Sequence, residues 1–192
     1  MTKARELSQE EMESTRLARF EELPLWGLLE DDGIPVEARD VFVARRLWSI
    51  VCPSSLEGSL QNPAPIRDTE DFVMTIAACP PGQGPGLHHH LHATETYTCL
   101  QGRFRVAWGA RGEHELVLSR WDTLSVPPGV IRRFQNVGDE EGFIQVILSG
   151  DMSKMKNDSA STPEQRDEIA AFGEDVLARV EATGRRFDAG VA

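Results

Sequence analysis

From Val41 to Gly150 the chain is rich in β-branched and aromatic residues, and in places apolar and polar positions alternate with the period of two that puts neighbouring side chains on opposite faces of a strand. The clearest case is RFRVAWG, with Phe104, Val106 and Trp108 on one face and Arg103 and Arg105 on the other. The turn GARG (109–112) follows, and His114 to Leu118 returns as the partner strand. Further strands are predicted over Val41 to Val51, with Arg45 and Arg46 at its middle, over Asp71 to Ala78, through IRRFQNV, and over Gly142 to Gly150. Between them lie a loop from Pro53 to Arg67, a Pro and Gly loop from Pro80 to Gly86, and a bend at Pro127, Pro128 and Gly129. Strand signals joined by short turns, without helices between them, predict an antiparallel barrel.

Helical patterns occur only in the flanks. Ser8 with Glu11 three residues later is a capping box, opening a helix whose loose apolar stripe is Met12, Leu17, Ala18 and Phe20 and which Pro24 ends. Leu25 to Arg39 reads as an irregular arm. Asp151 to Ser161 reads as polar linker. Thr162 and Pro163 then open one helix with the stripe Ile169, Phe172, Val176 and Val180, stopped at Gly184. Each flanking helix is expected to cover the barrel or a second subunit. The 192 residues suit one domain with extensions: an N-terminal helix and arm (1–40), a barrel (41–150), and a linker with C-terminal helix (151–192). There is no internal repeat.

Candidate chemistry gathers in GQGPGLHHHLHATETYTCLQG, Gly82 to Gly102. It holds His88, His89, His90 and His92, four of the five histidines, with Glu95 and the only tyrosine, Tyr97. On a strand His88, His90 and His92 share one face and His89 takes the other. A bend through Ala93 and Thr94 returns Glu95 towards them. Imidazoles and a carboxylate converging from one side are metal-site chemistry. The plainer alternative is a solvated strand that binds nothing.

The spacing G-x5-H-x-H-x4-E-x6-G, at Gly82, His88, His90, Glu95 and Gly102, resembles the first motif of the cupin superfamily at every place. The resemblance implies an all-β core, an antiparallel double-stranded β-helix or jelly-roll barrel, with short N- and C-terminal helices. It also implies His88, His90 and Glu95 as ligands of a divalent metal, His92 beside them as a non-ligand, and a homodimer. The second cupin motif, G-x5-P-x-G-x2-H-x3-N, falls on Trp121 to Asn136. Pro127, Gly129 and Asn136 are in place; Trp121 stands for the first Gly, and Arg132 stands for the fourth ligand His.

Charge and cysteine usage narrow the partners. The net charge is −11, but the central stretch 41–136 is near balance, with 9 basic against 8 acidic residues. No basic face is available for phosphates, so nucleic acid is excluded as a partner. Cys52, Cys79 and Cys99 are isolated, which fits buried thiols in a reducing cytosol rather than a disulfide framework. No apolar run of membrane-spanning length and no signal-peptide pattern is present, so a soluble cytoplasmic protein is expected.

Two histidines and one carboxylate leave positions open on an octahedral metal, which suits Fe(II), with Mn, Ni or Zn also compatible. The expectation is a metal-dependent, oxygenase-like enzyme acting on a small organic acid. Arg132 is expected to act as an anion clamp. A guanidinium about 5 Å from a dication would be repelled by roughly 6 to 7 kcal/mol at an effective dielectric near 20, which Glu95 offsets. The alternatives stay open: a metal-free binding or sensing barrel with an Arg132 and Glu95 ion pair, or a lyase or isomerase with Tyr97 as base. Tyr97 with its hydroxyl bonded in the core is the plain structural option. Cys99, Trp108 and Phe134 are expected to pack in the barrel wall.

Overall fold

The structure, a computed structural model, describes residues 4–27, 33–56, 62–67, 71–155 and 158–190. Among the described residues, ten strands form two five-stranded sheets whose strand pairs are all antiparallel. They are β1 (Arg46–Val51), β2 (Phe72–Cys79), β3 (His88–His90), β4 (Ala93–Gln101), β5 (Phe104–Trp108), β6 (His114–Leu118), β7 (Thr123–Val126), β8 (Arg132–Asn136), β9 (Gly142–Gly150) and β10 (Ser159–Ser161). One sheet runs β1-β2-β9-β4-β7 and the other β10-β3-β8-β5-β6. This is the double-stranded β-helix expected from the sequence.

The inward residues follow the alternation. On β4, Ala93, Glu95, Tyr97 and Cys99 are buried while the residues between them are partly exposed. Tyr97, Cys99, Phe104, Val106, Phe134, Ile144 and Val146 fill the space between the sheets, with Tyr97 and Phe134 edge to face at 5.3 Å. Burial of this apolar surface is the main force holding the sheets together. Of the expected wall residues, Cys99 and Phe134 lie in this core, while Trp108 is only half buried and tilts against His114 at 5.8 Å.

The flanks depart from expectation in three places. The first strand begins at Arg46, not Val41, because Phe42 is taken into a second apolar cluster with Ile34, Ala38, Ile169, Val176, Leu177 and Val180. That cluster joins the short helix α2 (Val36–Arg39), within the segment read as an irregular arm, to the C-terminal helices. The single C-terminal helix is two, α3 (Pro163–Ala170) and α4 (Glu174–Ala182). Gly173, at φ 126°, takes a backbone conformation only glycine adopts readily, and the bend leaves Phe172 exposed while Ile169, Val176 and Val180 stay buried. Third, the stretch read as polar linker contains β10, which pairs with β3 in the register Ser159 to His90, Ala160 to His89 and Ser161 to His88.

At the other end the capping box forms as predicted. Ser8 Oγ accepts from the Glu11 N–H at 3.1 Å, and Glu11 accepts from the Ser8 N–H at 2.8 Å. The helix, α1 (Gln9–Arg16), buries none of its residues, and Phe20 beyond it packs on Trp48 and Phe143 at ring separations of 5.0 and 6.5 Å. Part of the Pro53 to Arg67 loop, residues 57–61, lies outside the described residues.

Candidate metal centre between the sheets

β3 carries His88 and His90 on one face, between β10 and β8. The loop before it packs tightly: a Cβ on Gly84 would lie 2.1 Å from the Phe134 carbonyl oxygen. The loop then presents the Gly86 carbonyl, 2.8 Å from His88 Nδ1. An acceptor there places the proton on Nδ1 and leaves the Nε2 lone pair free. Nε2 points towards Glu95 Oε2, 3.6 Å away.

Glu95 comes from β4 of the opposite sheet. His88, His90 and Glu95 each offer one ligand atom, all three atoms lie within 4.8 Å of one another, and all three residues are buried. The rings of His88 and His90 meet edge on at 5.5 Å.

Arg132 sits directly across β8 from His88, and cross-strand partners share a face. Its side chain therefore turns inward and is fully buried. Nε donates to Glu95 Oε2 at 2.7 Å, and Nη1 donates to the Val130 carbonyl at 3.0 Å. Nη2 is buried without a hydrogen-bond partner. Tyr97 donates to the same Glu95 Oε2 at 2.6 Å. Both bonds land on one oxygen, so Oε1 is the carboxylate oxygen left for another partner.

Electrostatics set the protonation states. Burial pushes the Glu95 carboxyl upward, but Arg132 first and His88 next outweigh it and hold it well below the ordinary range. Burial lowers the pKa of His88, against the pull of Glu95. Burial and then Glu95 push Tyr97 well above its ordinary value, so its proton stays on. Neutral imidazole and ionised carboxylate are the forms that ligate a metal, so this donor set fits a divalent transition ion. Arg132 brings one positive charge, which Glu95 already answers.

The other histidines stand apart. His89 is buried on the opposite face, near Arg186 and Asp188. His92, expected beside the ligands, is exposed where His88 and His90 are buried. Its backbone N–H instead donates to Asp158 Oδ1 at 2.7 Å. Asp158 Oδ2 lies 3.3 Å from His90 Nδ1. Asp158 was missed in the sequence, where it is one acid in a polar run with no spacing to mark it. The contribution of Gly86, a backbone carbonyl, leaves no side-chain signal either.

Residues 75–148 match the cupin domain family. No curated protein matches the chain. Among solved structures, the DMSP lyase DddQ from Ruegeria pomeroyi aligns with a TM-score of 0.50 at 15% identity, over 68% of this chain and 57% of that one. An uncharacterised conserved protein with a double-stranded β-helix domain from Klebsiella pneumoniae aligns at TM-score 0.40 and 24% identity, over 44% of this chain and 71% of that one. The cupin domain of Schizosaccharomyces pombe Cnp3 aligns at 0.44 and 16%, over 56% and 66%. At such identities the likeness is one of fold, and the chain spans little more than half the length of the lyase. The family match lies wholly inside the two-sheet barrel, so it is this barrel, over residues 75–148, that matches the cupin domain.

Proposed function

We propose that this protein is a small-molecule cupin enzyme of the oxygenase type, with a divalent transition metal held by His88, His90 and Glu95 and a small organic acid as substrate. The observation that carries the reading is the buried cluster itself: three ligand atoms within 4.8 Å, with the Nε2 lone pair of His88 freed by the Gly86 carbonyl. A metal with open positions would supply Lewis acidity and a place for substrate and O2 side by side. The chain's own groups do the positioning. Tyr97 and Arg132 hold Glu95 Oε2 with their donors. A tyrosine that keeps its proton and donates it to a carboxylate is a poor general base. An acid as substrate is supported by Arg132 Nη2, the guanidinium nitrogen that has no partner.

A homodimer belongs to the same reading, supported by the exposed apolar residues Met12, Leu17, Phe20 and Leu25 of the N-terminal segment. Light scattering at the 21.3 kDa monomer mass would remove it. Three free, buried cysteines support a reducing, cytoplasmic setting, and among the described residues no helix is long and apolar enough to cross a membrane.

Elemental analysis of untagged protein tests the metal. Close to one equivalent of Fe, Mn, Ni or Zn is expected, lost in a His88→Ala and His90→Ala double variant. Less than about 0.1 equivalent after reconstitution rejects the reading. That outcome favours the second reading, a metal-free binding cupin, which rests on the ion pair of Arg132 and Glu95 at 2.7 Å with both side chains buried.

A further inference from the structure

We infer that Asp158 is a positioning residue for His90, selecting the ring tautomer whose Nε2 lone pair faces the cluster. This rests on the metal reading and adds a member to that site from outside the family-matched residues 75–148.

Asp158 is only 2% exposed and immediately precedes β10, whose pairing with β3 brings it beside the histidines. The Leu91 N–H donates to its carbonyl at 3.4 Å. Its carboxylate is pinned on one side, where Oδ1 accepts the His92 N–H at 2.7 Å. The other oxygen, Oδ2, lies 3.3 Å from His90 Nδ1, and neither of these two buried atoms has a hydrogen-bond partner of its own. A buried polar atom left unpaired is costly, so the two atoms are each other's remaining opportunity. An ionised carboxylate only accepts. Nδ1 must then carry the proton, which leaves Nε2 as the nitrogen able to ligate. A carboxylate behind a histidine is the arrangement by which metal sites orient their ligands and raise their basicity. His88 has the equivalent support from the Gly86 carbonyl, so both histidines are set in the same tautomer by acceptors on the far side of their rings.

The Asn variant separates this role from simple packing. In Asp158→Asn the amide oxygen keeps the His92 N–H, and the NH2 then faces Nδ1. Nδ1 is forced to accept, and the proton moves to Nε2. Long-range 1H–15N spectra of the histidine rings in the metal-free full-length chain, at a pH where the rings are neutral, read this directly. The expected result is Nδ1–H for His90 in the wild type and Nε2–H in Asp158→Asn, with His88 unchanged in both. Zinc affinity, titrated against a competing chelator, is expected to fall about 10- to 100-fold in the variant. A wild-type His90 with its proton on Nε2 overturns the inference, whether or not the variant folds. So does a tautomer unchanged by the substitution, or an inverted tautomer with zinc affinity intact. A wild type that shows the Nδ1–H form and its inversion but binds no metal supports the assignment of Asp158 and removes the metal reading instead.

Discussion

The two motif segments have diverged to different extents. Gly82 to Gly102 keeps all five motif places, whereas Trp121 to Asn136 keeps three of five. In the second segment the kept positions do backbone work. Gly129, at φ 78°, donates its N–H to the His90 carbonyl at 2.7 Å. The Asn136 amide bonds the Cys79 and Glu140 carbonyls and accepts the Gly138 N–H. The two changed positions separate what the motif combines. Trp121 preserves the path of the chain, since it adopts φ 73° where glycine is expected. Arg132 preserves the inward direction of its side chain but replaces a neutral metal ligand with a buried cation. A motif position can thus specify chain path, interior charge, or both, and the barrel tolerates a change in either.

The largest effect is expected where the interior charge was changed. Arg132→Met leaves Glu95 buried without its cation, which should cost about 3 to 5 kcal/mol of stability in the metal-free protein, read by urea denaturation with chelator present. Adding Glu95→Gln removes both charges and should recover most of that loss. A single variant that loses less than about 1 kcal/mol would show that Arg132 does not hold this part of the interior together.

The same contact sets a pH dependence. Glu95 has a folded-state pKa well below its ordinary 4.5, so the unfolded chain takes up the proton first as pH falls. Its stabilisation is complete above about 4.5 and drains away as pH falls below that towards the folded value. His88, lowered by burial from 6.5, has the same sign in a higher window, beginning as pH drops below 6.5. Urea midpoints followed against pH should show a shallower acid limb below 4.5 in Glu95→Gln, and a deeper limb below 6.5, because Glu95 no longer opposes the lowering of His88 by burial. Identical acid limbs would break the link between Arg132 and the ionised state of Glu95.

A kept position should behave differently. Asn136→Ala strips partners from the Cys79 and Glu140 carbonyls and the Gly138 N–H, at a cost of about 2 to 3 kcal/mol. Metal content should be unchanged in the folded fraction, because Asn136 bonds backbone and touches none of the three cluster residues. Loss of metal with stability intact would reverse the division between chain path and site chemistry.

What the sequence made legible follows from where each determinant lies. Alternation exposes a strand when one face is buried, as on β4 and β5, and the first motif places three site residues within eight positions. The apolar run at Val41 to Val43 carries no mark of which surface will claim it, and Phe42 went to the helices. The strand β10 is three residues long and held by main-chain pairing to β3, so it has no side-chain period to detect. Asp158 becomes meaningful only once that pairing exists. The two options for Arg132 could not be separated along the chain, since its partner Glu95 lies on the opposite sheet.

The smallest effect concerns Trp121, and it tests whether chain path was conserved independently of side chain. The indole is 65% exposed, with the Arg120 guanidinium 5.0 Å from its ring, and the Trp121 N–H donates to the Cys99 carbonyl at 2.7 Å. That bond ties the turn before β7 to β4, the strand carrying Glu95 and Tyr97. Any substitution loses the indole, so the informative measurement compares two variants that lose it equally. Alanine is ordinarily the more stabilising of the small residues because glycine loses more backbone entropy on folding. At a left-handed position the order inverts, since a Cβ costs about 1 to 2 kcal/mol there. Trp121→Gly should therefore be more stable than Trp121→Ala by about 1 kcal/mol in urea denaturation. The opposite order would mean that the turn relaxes away from φ 73° once the indole is gone, and that Trp121 holds the chain path through its side chain.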